Sequence, residues 1–173
     1  MNVDQLNLAR HGLEDKRDAS NREAQPGASA HACCPAPPQP KRRIVEFCCG
    51  PNSRIGKLAP ADCEVIRLTA EDDLTTQAGL HKALTAVSNP GVPTLLFGAL
   101  PCTGGSPYQR LNWKVGPKTR GMIRRHWAIF RALWRHFEIV AQTCLDNGGQ
   151  VAIEWPKVCA YWRLRNVKRA LAK

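Results

Sequence analysis

The sequence predicts an α/β domain with a mostly parallel sheet over residues 41–173, preceded by a disordered tail over residues 1–40. Three observations predict it. Short apolar runs alternate with helical patterns, the order that parallel strands and their right-handed crossovers require. One run, Pro93 to Leu100, is almost wholly apolar, as expected for a parallel strand covered on both faces. The Gly, Pro, Cys and acidic residues that stand out follow the runs directly, at the carboxyl ends of strands, where open α/β sheets hold ligands.

The tail comes first. Residues 4–24 have the composition of a transient helix, and the segment QPGASAHACCPAPPQP after them is too rich in Pro, Ala and Gly for helix or central strand. Arg43 to Cys49 then reads as a buried strand running into the turn Gly50-Pro51-Asn52-Ser53. Residues 53–59 follow as one or two helical turns. Glu64 to Thr69 is a second strand, with β-branched and apolar residues, and Ala70 to Thr76 is an acidic loop. Gln77 to Ser88 is a helix with Leu80, Leu84 and Val87 on one face, ended by Asn89-Pro90-Gly91. The third strand is Pro93 to Leu100, and residues 101–117 form a long Gly/Pro loop. Thr119 to Asp146 is the clearest helix. Its stripe of Ile123, Trp127, Phe130, Trp134, Phe137 and Cys144 is assigned to the core, and Asn147-Gly148-Gly149 stops it. Gln150 to Glu154 is the fourth strand, stopped by Trp155-Pro156, and a basic helix from Val158 to Leu171 closes the chain.

Composition narrows the function classes. A hydrophobic share of 43% over 173 residues suits one globular domain. No apolar run is long enough to span a membrane, and the N-terminus has no apolar signal region, so an intracellular protein, nuclear or cytoplasmic, is expected. The eight cysteines are scattered or adjacent, as in Cys33-Cys34 and Cys48-Cys49, which reads as reduced thiols and not as a disulfide scaffold. His31, Cys33 and Cys34 lack a second ligand pair, so no metal is expected. The formal charge of +11 is concentrated in residues 41–173, which points to a polyanionic partner or to a plain solvated basic surface.

Four clusters carry chemistry. After the first strand, Glu46 to Gly56 (EFCCGPNSRIG) puts Gly50 where a ligand can approach the backbone, with Asn52 and Ser53 leading into a helix start; the plainer reading is a strand-to-helix turn. After the second, Asp72 and Asp73, with Glu71, offer carboxylates to ribose hydroxyls or an adenine amine, or else Asp73 or Thr75 caps the next helix. After the third, LPCTGGSPYQRLN sets Cys102 behind Pro101 in a Gly-rich loop with basic neighbours, suited to nucleophilic attack. Cys63 and Cys144 read as small buried hydrophobes. After the fourth, Glu154 faces the same edge as Cys102; it is either an acid partner to the thiol or a strand-end carboxylate paired with Arg163 or Lys157. A thiol and a carboxylic acid together suit covalent catalysis on a pyrimidine, the thiolate adding to C6 and the acid serving N3.

The order of these clusters resembles that of cytosine-C5 DNA methyltransferases. Their first motif, D-x-F-x-G-x-G-G-x-x-x-G, is echoed by Glu46, Gly50 and Gly56, with Asn52 and Ser53 in place of the middle glycines. Their P-C-x-x-x-S motif is matched by Pro101, Cys102 and Ser106, and their E-N-V motif by Glu154 alone. The resemblance covers about residues 43–160. It implies a Rossmann-like methyltransferase fold, with Cys102 as nucleophile and Glu154 as the N3 partner. The Gly50 loop, Glu46, Pro101, Asp72 and Asp73 would hold S-adenosylmethionine. The crossover from the first strand to the second is very short. Little chain follows Glu154, so the family's later strands and target-recognition domain are not expected, and the domain is incomplete. A homodimer or a missing C-terminal half would complete it. Ser106-Pro107-Tyr108 also resembles the S-P-P-Y pattern of base amino-methyltransferases, a second variant of the same class.

The segment 108–136 bears on the partner. Arg110, Lys114, Lys118, Arg120, Arg124, Arg125, Arg131 and Arg135 occur there without one acidic residue. Tyr108 and Trp113, with Ser106 before them, are placed to meet an extruded base. Nucleic acid, DNA in preference to RNA, is therefore the expected partner. The competing expectation is a degenerate, non-catalytic fragment of mobile-element origin that binds nucleic acid through the same basic face.

Overall fold

Runs rich in Val, Ile, Leu and Phe assemble into the sheet at the centre of the computed structural model, which describes residues 41–172. The strands are β1 (Arg42–Phe47), β2 (Cys63–Leu68), β3 (Thr94–Gly98) and β4 (Gln150–Ile153). All pairings are parallel, in the order β2-β1-β3-β4. The fold is thus α/β with a four-stranded, all-parallel sheet. Because β2 and β3 flank β1 on opposite sides, the chain reverses its direction of winding between β1 and β3. That reversal opens a crevice at their carboxyl ends.

Between the strands lie α1 (Arg54–Leu58), α2 (Gln77–Val87), α3 (Gln109–Asn112) and α4 (Pro117–Asp146); α5 (Arg165–Leu171) follows β4. One face of the sheet carries Val45, Phe47, Leu68 and Leu96, all fully buried. Against it lie α2, through Ala83, Ala86 and Val87, and α4, through Phe130, Trp134, Phe137 and Val140. Burial of each such side chain stabilises by about 1.5–3 kcal/mol. The Phe137 ring meets Phe47 edge-on at 5.2 Å. A Cβ on Gly98 would sit 2.7 Å from that ring, so a glycine is what lets the helix approach β3. Arg43 ties three elements together: its Nε donates to Glu64 at 2.8 Å and a terminal nitrogen donates to the Ala86 carbonyl at 3.0 Å.

The opposite face is less enclosed. Ile44, Val65, Leu95 and Phe97 are half-buried there. The expectation that β3 is covered on both faces therefore holds on one only. Among the described residues α1 is the helix on that face, and a Cβ on its Gly56 would touch Val65 and Arg67.

Further differences from the sequence reading are local. β1 ends at Phe47, two residues early, because Cys48 turns into the left-handed region at φ 64°. The acidic loop contains a 3-10 turn, Ala70–Asp72, and α2 is capped by Thr76, whose hydroxyl accepts from the Gly79 amide at 3.2 Å, and not by Asp73 or Thr75. The loop at 101–117 folds into a 3-10 turn (Thr103–Gly105) and α3. α4 begins at Pro117, where a missing N–H costs nothing. The closing helix is split into a 3-10 turn, Ala160–Arg163, and α5. The predicted tail, with His31, Cys33 and Cys34, lies outside the described residues. No helix among those described is long and apolar enough to cross a membrane.

At 30 residues, α4 is about 45 Å long, whereas strands of four to six residues span about 13–20 Å. The helix therefore overhangs the sheet. Its second half packs on the sheet, while Ile123 and Trp127 in its first half lie beside the loop after β3 and the segment after β4.

Candidate functional site

The carboxyl ends of the strands are laced together by amides that continue the ladder. Cys49 donates to Leu68, Ala99 to Phe47 and Glu154 to Gly98, at 3.2, 2.9 and 3.0 Å. The four chemical clusters are thereby held along one edge.

At the end of β1, Glu46 is buried at 1% exposure. Its carboxylate accepts from the Ser53 hydroxyl and lies 3.3 Å from Arg67 Nε, close but too oblique for a hydrogen bond. Glu46 and Ser53 thus pin the turn to the sheet. Gly50 and Asn52 are exposed, and a Cβ on Gly50 would meet nothing within 4 Å. The protein's own packing does not demand a glycine there. Burial pushes the Cys48 thiol up to about 12, so it is no nucleophile at neutral pH.

At the end of β2, the two expected carboxylates are engaged by their own turn and by α2. Asp72 accepts from the Thr69 amide at 2.6 Å and pairs with Lys82. Asp73 accepts from the Thr75 hydroxyl at 2.6 Å and the Thr75 amide at 3.3 Å. Glu71 is exposed on the same turn, and its carboxylate meets no described partner. It is the acid there that remains open to a ligand. Sequence patterning gave no way to rank it above its two neighbours, since all three are acidic and adjacent.

The Lys82 ammonium holds the Asp72 carboxyl below its ordinary value of 3.8. A lowered folded-state value stabilises the fold above pH 3.8, and the contribution is lost as pH falls below it. Lys82→Met should therefore lower the thermal midpoint at neutral pH, and the gap from the parent protein should close in acid. An equal gap throughout the acid range would count against the pair.

At the end of β3, Pro101 is exposed and Cys102 is half-buried against the core. The 3-10 turn after it rests on Tyr161: a Cβ on Gly104 would strike the Tyr161 hydroxyl, and one on Gly105 would lie 2.7 Å from Cys159 Sγ. Burial pushes the Tyr161 hydroxyl up, and the Cys159 and Cys102 thiols act the same way. At the end of β4, Glu154 is exposed and forms no ion pair with Lys157 or Arg163. Trp155 beside it is buried and donates its indole N–H to the Leu100 carbonyl at 2.8 Å. This bond locks the strand carrying Glu154 to the loop carrying Cys102.

Beyond Cys102 a cleft of about 840 Å³ opens between the loop at 104–113, the first half of α4 and residues 158–163. Of the residues expected to meet nucleic acid, Ser106, Arg110 and Trp113 line it. Tyr108, Lys114, Lys118 and Arg120 are exposed nearby without lining it, and Arg120 donates to the Trp113 carbonyl at 3.1 Å. Arg124, Trp127, Arg131 and Arg163 line it as well. Trp127 is thus only partly a core residue, a correction to its place in the apolar stripe. Helical spacing gives the direction of a side chain but not whether protein or solvent faces it. No protein-family model, curated protein or solved structure matches the chain.

Proposed function

We propose that this domain transfers a methyl group from S-adenosylmethionine to a nucleic-acid base, with C5 of cytosine in DNA as the acceptor. What supports it is the gathering, along one carboxyl edge, of an open glycine turn, a free acid, a cysteine and a second acid. An Arg- and Trp-lined cleft adjoins them. A methyltransferase-like, all-parallel sheet belongs to the same reading.

The cofactor fits the amino half of that edge. Gly50 leaves open room after β1, and Glu71 supplies a carboxylate for ribose hydroxyls, with Asn52, Asp72 and Asp73 around it. Bound there, S-adenosylmethionine supplies an electrophilic methyl group. On the other half, the Cys102 thiolate adds to C6 of the pyrimidine, forming the S–C6 bond and shifting the C5–C6 electron pair toward C5. Glu154 in its acid form donates to N3 and takes up the charge that develops in the ring. Once C5 carries the methyl group, loss of the C5 proton to solvent returns its electron pair to the C5–C6 bond and expels the thiolate from C6.

Calorimetric titration of S-adenosylmethionine into the full chain tests this. Saturable binding is expected, weakened about tenfold by Glu71→Ala, the loss of a hydrogen bond to a charged group, and less by Asp73→Ala. A folded protein that binds none is not a methyltransferase. A second reading, a nucleic-acid-binding module without transfer, is favoured by one observation: Asp72 and Asp73 already use their oxygens on partners within the protein. That module would bind nucleic acid and ignore the cofactor.

A further inference from the structure

The cleft beyond Cys102 combines two chemistries. Arg110, Arg124, Arg131 and Arg163 give it four guanidinium groups, and no acidic residue lines it. Trp113 and Trp127 give it two indoles, each already partnered by arginine. The Arg124 guanidinium lies 5.6 Å from the Trp113 ring centre and the Arg131 guanidinium 5.9 Å from that of Trp127. Neither indole belongs fully to the core: Trp113 is 41% exposed on its loop, and Trp127 is half-buried. Among the described residues none of these four arginines forms an ion pair.

We propose that this cleft is a binding groove for single-stranded nucleic acid, separate from the edge that carries Cys102 and Glu154. Phosphates meet the arginines, and bases stack on Trp113 and Trp127. The shape selects the single strand. The cleft is an open groove with a volume of about 840 Å³. A duplex is convex and keeps its base faces stacked inside, so neither indole can reach one. An unpaired strand can enter and turn its bases toward the rings. The inference rests on the reading of the partner as nucleic acid, but it needs no methyl transfer.

The test is fluorescence anisotropy on the full chain without cofactor, with three labelled probes: oligodeoxyuridylate, oligouridylate and a mixed-sequence DNA duplex of the same length. Both single strands should bind about tenfold more tightly than the duplex, since stacking adds to the shared phosphate term. Equal affinity of the two single strands means the groove ignores the 2′-hydroxyl, and a difference between them names the preferred sugar; either supports the groove provided both exceed the duplex. Trp113→Ala should weaken single-strand binding about tenfold while leaving the salt slope unchanged, and Trp113→Phe should restore most of it. Arg124→Ala/Arg131→Ala should instead flatten the salt slope. Trp113 sits exposed on its loop, so these variants keep the fold. Preference for the duplex, or indifference to Trp113→Ala, overturns the groove and leaves a nucleic-acid partner intact. No binding of any probe removes both.

Discussion

Phe137→Ala should lower the free energy of unfolding by about 3–5 kcal/mol, the cost of emptying a large aromatic site in a core that cannot fully collapse. Phe137 is 1% exposed and stands at the junction of α4 with β1 and β3. It meets Phe47 edge-on and lies 5.7 Å from Trp134, and Gly98 is open to its ring. No neighbour is free to fill the space, because Gly98 has no side chain and Phe47 is held within β1. A domain of this kind has only about 5–15 kcal/mol in total, so the variant should lose a large share of its stability. Ile139→Ala, two residues along and 44% exposed, should cost less than about 1 kcal/mol. Denaturant midpoints of the two variants make the comparison. A loss under about 1 kcal/mol at Phe137 would mean that α4 is not anchored there.

The second large effect concerns Cys102. A cytosine with fluorine at C5 accepts the thiolate at C6, but the fluorine cannot leave as a proton does, so the S–C6 bond persists. With cofactor present, the full chain should form an adduct with fluorocytosine DNA that survives denaturing electrophoresis. Cys102→Ala should abolish it. Cys63→Ala should not, because Cys63 begins β2 at the opposite end of the sheet. Glu154→Gln should slow adduct formation by about a hundredfold, the usual scale of a lost general acid. An adduct that persists in Cys102→Ala assigns the nucleophile elsewhere. A parent protein that binds cofactor and forms none removes the covalent mechanism.

Strand content was legible because the parallel strands are short, apolar and bounded by Gly and Pro. Pro93 to Leu100 contains the observed strand, and Arg43 to Cys49 overlaps it but starts one residue late and ends two residues late. α2 and α4 were legible from helical spacing. What escaped is held by tertiary contacts. Residues 160–163 form a 3-10 turn because Tyr161 stacks on Phe130 at 3.6 Å and Trp127 meets it edge-on at 4.9 Å. No local pattern announces that anchor. The strand-end residues were correctly placed on one edge, since topology alone dictates it. Their individual duties were not legible: Asp72 and Asp73 look alike in sequence to Glu71, and only the positions of Lys82 and Thr75 show which carboxylates are taken.

The overhang of α4 gives that helix two stability regimes. Of its eight buried residues, only Ile123 precedes Phe130. The second half is thus bound to the global unfolding of the domain, while the first is held chiefly by Ile123 and by Trp127, which meets Tyr161 edge-on at 4.9 Å, and opens at a lower cost. Arg124 and Trp127 lie on this loosely held portion. An occupant of the cleft would add to the existing Trp127–Tyr161 link between that portion and residues 158–163. It would thereby extend the cooperative unit along the helix, without any rearrangement of the sheet.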